Sequence, residues 1–332
     1  MTSQTPDDRF PIVFTEGTPV IRIPPRLSVI EAVDFKTTCQ SLLQDRDETV
    51  REIILDFSAT LFMDSSGVGA LVSSHKAVAS QGGTLVLHHV APPVMAVLSM
   101  TSLDKVLTIY PAVSQQTVNS RQASQRPPET HPSVRSPIKR FLDIIGSLVG
   151  LAITGIILIP VAIAIKRDSP GPIFFGQTRC GWLGKHFKMW KFRSMRPDAE
   201  QLKHQVQNEA SGAFFKNTDD FRITRVGRFL RRTSLDELPQ FWNVLRGEMS
   251  LVGTRPPTPD EVATYQIPEW QRLDVKPGMT GEWQVNGRSQ IRNFEDVIRL
   301  DLRYQRNWSL MYDLKLIAKT IWILFQKNSG AY

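Results

Sequence analysis

Two adjacent carboxylates, Asp236 and Glu237, stand in the stretch Arg231-Arg-Thr-Ser-Leu-Asp-Glu-Leu-Pro239, with arginines just upstream. A carboxylate is a weak nucleophile in water. It becomes useful against phosphorus when cations neutralise the phosphate charge and hold it in line. An acid pair among bases, about seventy residues after an apolar segment, therefore predicts attack on a phosphorylated substrate at a membrane surface. The same residues fit a structural role. Ser234-Leu-Asp-Glu237 has the S-x-x-E spacing of a capping box, with Glu237 capping a helix and Asp236 in its first turn. The two readings are compatible, because a helix N-terminus also binds phosphate through its free N–H groups. Pro239 would fall inside such a helix, so a start at Pro239 itself is an alternative.

Phosphate chemistry needs cations, and three other blocks supply them. Gly171-Pro-Ile-Phe-Phe-Gly-Gln177, followed by Lys191-Phe-Arg-Ser-Met195, reads as a hairpin carrying Lys188, Lys191, Arg193 and Arg196. Those charges face lipid headgroups or substrate phosphates, or form an ordinary solvated surface. Gly253-Thr-Arg-Pro-Pro257 presents Arg255 on a stiff turn, and arginine suits a phosphate bidentately. Val275-Lys-Pro-Gly-Met-Thr-Gly281 leads to Gln284-Val-Asn-Gly-Arg288, a turn-rich loop exposing Asn286 and Arg288.

The elements that position these residues fall into three segments. Residues 10–113 alternate strand-like runs (Val20–Ile23, Ile53–Phe57, Thr84–His88) with helical patterns near Leu27–Leu43, Ser66–Ala79 and Pro92–Met100, which predicts an α/β domain. Residues 114–136, rich in Ser, Gln, Pro and Thr, form a flexible linker. Residues 137–332 form the basic part: residues 138–332 carry net +10, against −4 for residues 1–113. Nucleic acid, anionic lipid and phosphorylated small molecules all suit that charge. No recognition helix, zinc pattern or aromatic–basic sheet supports nucleic acid. Cys39 and Cys180 offer neither a disulfide framework nor a metal site, and the polar, acidic first ten residues show no secretory signal.

The apolar run Ile144–Ile165 is long enough to cross a bilayer. Lys139-Arg140 before it and Lys166-Arg167 after it put basic residues at both ends, and Pro160 lies within. A single spanning helix satisfies the length. A helix bent at Pro160 that enters one leaflet and returns satisfies the charges as well. Asp143 at its edge is expected to pair with a neighbouring Arg or Lys. Met311–Gln326 has helical apolar spacing with Lys315 and Lys319 on another face, fitting either a core helix or one lying in the membrane interface.

Taken together, KRFLD, GPIFFGQTRCG, KFRSM, TSLDELPQFWNVLRGEMSLVGTRP, KPGMTG, QVNGR and NWSLMYDLK, in that order over residues 137–332, resemble the bacterial sugar transferases. These are monotopic polyprenyl-phosphate phosphoglycosyl transferases, and an ordered set of motifs is far more specific than any one of them. The resemblance implies a mainly α, membrane-associated α+β domain. Its re-entrant, Pro-broken membrane helix would span 138–166, with Lys139, Arg140, Asp143 and Pro160 in the anchor. It implies Asp236 as nucleophile, assisted by Glu237, acting on a UDP-sugar to give a phosphosugar–aspartyl intermediate and UMP. The implied acceptor is polyprenyl (undecaprenyl) phosphate, and the implied Mg²⁺ would have Asp236 in or near its coordination shell. Lys191, Arg193, Arg231, Arg255, Asn286 and Arg288 are the expected substrate-binding residues. The implied place is the cytoplasmic face of the bacterial inner membrane. Two departures stand out. Thr254 replaces the usual Pro, which should leave Arg255 less rigidly aimed, and Glu282 adds a carboxylate that would alter sugar choice or donor affinity.

Ile54-Leu-Asp-Phe-Ser58 followed by Phe62-Met-Asp-Ser-Ser-Gly-Val-Gly69 resembles the STAS domain of anti-sigma-factor antagonists and sulfate transporters. That resemblance implies a mixed sheet with packed helices, a protein partner or kinase, and phosphorylation at Ser65. Alternatively, Asp64, Ser65 and Ser66 merely cap the next helix. An intact Asp236-Glu237 pair favours a transferase with a regulatory or docking module over a membrane-tethered regulator that has lost catalysis.

Overall fold

The computed structural model describes residues 10–44, 52–112, 130–209, 217, 220–286, 291 and 293–325. The chain forms two compact units. The first comprises Met1–Thr130 together with Leu183–Lys185 and Tyr265–Asp274; the second holds the remaining residues.

In the first unit, β1 (Ile12–Thr15) and β2 (Thr18–Arg22) make an antiparallel hairpin across Glu16-Gly17, both in the left-handed region. A short β3 (Arg26–Leu27) precedes α1 (Val29–Gln44), β4 (Glu52–Asp56) and β5 (Phe62–Met63). Then come α2 (Ser65–Ser80), β6 (Thr84–Val90), α3 (Pro92–Met100) and β7 (Thr108–Pro111). The main sheet has the order β1-β2-β4-β6-β7 and is parallel except for the hairpin. It is therefore the mixed sheet expected of an α/β domain. Ile21, Ile53, Leu55, Leu85 and Leu87 are fully or almost fully buried, as a sheet covered by helices requires. Asp64 caps α2 by accepting from the Gly67 amide at 3.0 Å.

In the second unit a single turn, α4 (Pro132–Arg135), leads into α5 (Pro137–Asp168). Ser136 caps α5 by accepting from the Lys139 amide, and Pro137 occupies its first turn. Pro160 lies inside α5 without ending it, so helical backbone continues through the predicted break. Packing accounts for the difference. Val161 and Ile165, just after Pro160, pack with Phe192 and Leu230 and hold the last turns in register. By length and composition α5 could cross a membrane. Its buried residues Lys139, Asp143, Ser147, Gly150, Thr154, Val161 and Ile165 form one stripe at helical spacing, while Leu148, Ile156, Ile159 and other apolar side chains are exposed.

The rest of the unit follows in sequence, part of it packed on that stripe. It comprises the antiparallel hairpin β8 (Phe174–Cys180) and β9 (His186–Phe192), α6 (Arg225–Arg232), α7 (Gln240–Arg246), β10 (Ser250–Val252) and α8 (Pro259–Ala263). β11 (Gly278–Thr280), α9 (Glu282–Val285), α10 (Phe294–Arg306) and α11 (Leu310–Phe325) complete it. The predicted anchor residues turn inward. Lys139 Nζ reaches Asp313 at 2.6 Å and the Val252 carbonyl at 2.9 Å. Arg140 donates to the Val244 and Leu245 carbonyls at the C-terminal end of α7, where a cation also opposes the helix dipole. Asp143 accepts from the Ser250 hydroxyl and the Leu251 amide, both at 2.9 Å. The expected cations, Lys139 and Lys276, also act on this carboxylate by charge, and the two neutral donors supply its hydrogen bonds.

Candidate active site

Asp236 and Glu237 lie on a 3-10 turn, Leu235–Glu237, just after α6. Ser234 opens that turn at φ 55°, and its side chain makes no capping bond. The capping-box reading is therefore corrected. α7 starts at Gln240 behind Pro239, and the Glu237 carboxylate turns instead to Lys191 Nζ at 3.0 Å. Asp236 is 5% exposed. Arg231 stands close: burial lowers its pKa, and Asp236 is the foremost of the charges that oppose the shift. Arg231 Nε is fixed on the Ser194 hydroxyl at 3.0 Å.

Local packing sets these positions. Thr224 caps α6 by accepting from the Gly227 amide, and Gly227 lies so close to the Ser194 carbonyl that a Cβ there would sit 1.9 Å away. That close approach brings Arg231 beside the end of β9. Asn243, fully buried on α7, accepts from the Trp190 amide and donates to the Lys188 carbonyl, so it ties α7 to the strand carrying Lys191.

Lys191, Arg193, Arg231 and Arg255 all line one cleft of about 630 Å³. Among the described lining residues seven are cationic and four acidic, a balance suited to a polyanion. Asp236 and Glu237 are not lining residues; they join the cleft through Arg231 and Lys191. Phe174 and Phe192 stack at 5.4 Å and give it one apolar wall. Arg193 spends Nη2 on the Ser169 carbonyl and hydroxyl, so it also fastens the end of α5 to β9. Asn286 donates to Glu282 and accepts from Lys319 at 2.7 Å, away from the cleft lining. Glu282 is buried and likewise absent from that lining. Arg288 lies outside the described residues.

Several lining residues escaped sequence reasoning, Arg179 and Glu261 among them. Arg179 donates to Gln177 Oε1 and to the Pro256 carbonyl, and burial, then Arg255, pushes its pKa down to about 10. Glu261 grips Arg255 with both oxygens, at 2.7 and 3.0 Å, and closes a capping box with Thr258 at the start of α8. Burial alone would raise the Glu261 pKa, but Arg255 holds it below the usual carboxylate range. The spacing Thr258-x-x-Glu261 was the available signal. Backbone bonds brace the loop at Thr254. Its carbonyl accepts from the Gly278 amide at 2.9 Å, and the Gly253 amide donates to the Thr280 carbonyl. A Cβ on Gly253 would meet the Lys276 carbonyl at 2.2 Å, so the two glycine motifs interlock by backbone contact.

No group of three or more His, Cys, Asp or Glu side chains poised for a metal occurs among the described residues. Two carboxylates on one turn nevertheless suit Mg²⁺, which commonly takes one or two protein carboxylates and completes its shell with substrate phosphates and water.

In the first unit Ser65, the predicted phosphorylation site, is fully buried; its hydroxyl donates to the Trp270 carbonyl at 2.6 Å.

Comparison with known proteins gives two family matches. The family described as bacterial sugar transferase matches residues 134–327, and the STAS domain family matches residues 9–116. The galactosyl transferase CpsE of Streptococcus agalactiae is 51% identical over 185 residues, 55% of this chain and 41% of that protein. The UDP-glucose:undecaprenyl-phosphate glucose-1-phosphate transferase of Escherichia coli is 42% identical over 202 residues, 59% of this chain and 41% of that protein. The exopolysaccharide production protein ExoY of Sinorhizobium fredii is 37% identical over 189 residues, 55% of this chain and 83% of that protein. The chain thus spans about two fifths of the length of the first two relatives. A solved STAS-domain structure from Planctomyces limnophilus is 24% identical, covers 32% of this chain and 92% of its own, and superposes with a TM-score of 0.28. With more than half of its 332 residues matched, the chain belongs to the bacterial sugar transferase family and carries a STAS domain ahead of the transferase region.

Proposed function

We propose that this chain transfers a sugar 1-phosphate from a UDP-sugar to undecaprenyl phosphate and so starts exopolysaccharide, O-antigen or glycoconjugate synthesis. The observation that carries this reading is the Lys191–Glu237 ion pair, which joins the Asp236-Glu237 turn to a cleft rich in cations. An Asp236 carboxylate oxygen attacks the β-phosphorus, and the bond to the bridging oxygen breaks. UMP departs with that electron pair, leaving a phosphosugar–aspartyl ester. An oxygen of undecaprenyl phosphate then attacks the same phosphorus and frees Asp236. Lys191, Arg231 and Arg255 hold the donor phosphates, and Glu237 keeps Lys191 in place. Asp236 is the residue that would hold Mg²⁺, which when bound offsets diphosphate charge.

The membrane reading is monotopic, on the cytoplasmic face. Charged or polar contacts to this same unit occur at both ends of α5: Lys139 and Asp143 near the start, and Asp168, which accepts from the Val226 amide, at the end. A helix spanning the bilayer would carry one of those ends to the far side. An in-plane or re-entrant α5 keeps both ends with the unit and gives its exposed apolar face to lipid. α11 adds exposed Met311, Leu314, Ile321 and Trp322. The STAS domain serves as a regulatory or docking module, and phosphorylation of Ser65 by a kinase would require its hydroxyl to be released.

The test is UMP release from a panel of UDP-sugars by detergent-purified protein with undecaprenyl phosphate and Mg²⁺, beside Asp236→Asn. Release with one donor, abolished by the substitution, supports the reading. Equal release by the variant overturns it.

A further inference from the structure

The first unit is not built from contiguous chain: Tyr265–Asp274, which lies within the transferase sequence, packs as a strap on α1 and α2. Its seat is specific. The Trp270 ring lies flat over Gly69, where a Cβ would stand 2.5 Å from ring atoms. The Trp270 carbonyl accepts from the Ser65 hydroxyl, and Asp274 accepts from the Ser65 amide at 3.0 Å. Asp64 accepts from the Gly67 amide at the same distance. Two carboxylates thus take amides of one helical turn. The positive end of a helix offsets about half a unit charge, so it cannot balance both as anions in a buried site.

The neighbouring charges offer little relief. Glu31 on α1 is acidic and bonds Ser28. On the strap, Glu269 accepts from the Gln266 amide, and Arg272 is buried with Nη1 donating to the Tyr265 hydroxyl. Lys185 is exposed. We infer that Tyr265–Asp274 is a reversible strap over the N-terminal end of α2, closed when the Asp64–Asp274 carboxylate pair holds a proton and loosened when that proton leaves.

The electrostatics agree in direction. Burial, then the Asp274 charge, raises Asp64 to about 7, and burial raises Asp274 to about 6 despite its bonds from Ser65. A carboxyl group raised in the closed state favours closure at low pH. Closure is tightest below about pH 4, weakens as pH rises through the closed-state values, and changes no further above them. Between pH 5.5 and 8, one such proton changes the closed-to-open ratio about thirtyfold.

Hydrogen exchange on the full chain tests this, read in peptides covering Asp64–Gly67 and Trp270–Asp274 and corrected for intrinsic rates. The expected result is protection at least tenfold higher at pH 5.5 than at pH 8. Asp274→Asn keeps the acceptor without the charge and is expected to shrink that difference severalfold, leaving the part due to burial of Asp64. Gly69→Ala suits a helix yet clashes with Trp270, so it is expected to deprotect the strap at both pH values while β4 and β6 stay protected. Equal protection of the wild type at both pH values, or an unchanged pH dependence in Asp274→Asn, overturns the inference. Loss of β4 and β6 protection in Gly69→Ala would show that strap and sheet open together, which also overturns it.

Discussion

Glu261→Gln isolates one charge. Glutamine keeps the side-chain length, and its carbonyl can still accept from the Thr258 amide, so the capping box at α8 survives. What disappears is the ion pair with Arg255, whose two members are 16% and 8% exposed. At that burial screening is weak, and two charge-assisted hydrogen bonds contribute about 1.5–3 kcal/mol net. Arg255 would then face Arg179 without the carboxylate that acts on both. The expected outcome is a fall of about ten- to a hundredfold in kcat/KM for the UDP-sugar, carried mainly by KM if Arg255 grips the ground-state phosphate. Because Glu261 is held below the usual carboxylate range, its contribution is present above about pH 4.5 and lost as pH falls through the lowered folded value. The deficit should therefore be flat between pH 6 and 9. The assay is initial-rate UMP release at several donor concentrations, with thermal melting as a fold control. A variant within twofold of wild type in kcat/KM would refute the idea that Glu261 aims Arg255.

The Lys139–Asp313 pair, 7% and 4% exposed, also accepts bonds from Tyr304 and Trp308 at the carboxylate. Asp313→Asn leaves a buried ammonium and should cost about 3–5 kcal/mol, with a matching drop in the melting midpoint; adding Lys139→Met should recover part of it, and additive losses would refute coupling. Trp322 is 67% exposed on α11. Trp322→Ala should weaken binding to anionic vesicles by about tenfold in a flotation assay, and unchanged partitioning would remove α11 from the interface.

Much of the first unit was legible because alternating strand and helix patterns report burial directly. Predicted and observed α3 coincide at Pro92–Met100, and β6 extends two residues past His88. The β1 hairpin was not read, since Glu16 takes positive φ at the first turn position, where Asn, Asp or Gly is usual, and Gly17 alone is a weak signal. In the site, Lys191, Arg193, Arg231 and Arg255 were found by type and spacing, whereas Arg179 and Arg222 were not. Nor were their organisers: Asn243 and Glu261 act through backbone amides and a partner arginine that lie far off in sequence or behind a capping signal. The direction of Lys139 was equally hidden, because a basic residue before an apolar run looks the same facing headgroups or a buried aspartate.

The strap gives the first unit a history in time. Residues through Ala112 leave the ribosome first, but the unit is complete only when Asp274 follows, about 160 residues later. At synthesis rates of about 5–20 residues per second, that interval is about 8–30 s. Throughout it, each nascent chain presents the N-terminal end of α2, with Ser65 and Gly69, uncovered. Anything that must reach that surface has a window set by translation speed, and a ribosomal pause before Tyr265 would lengthen it.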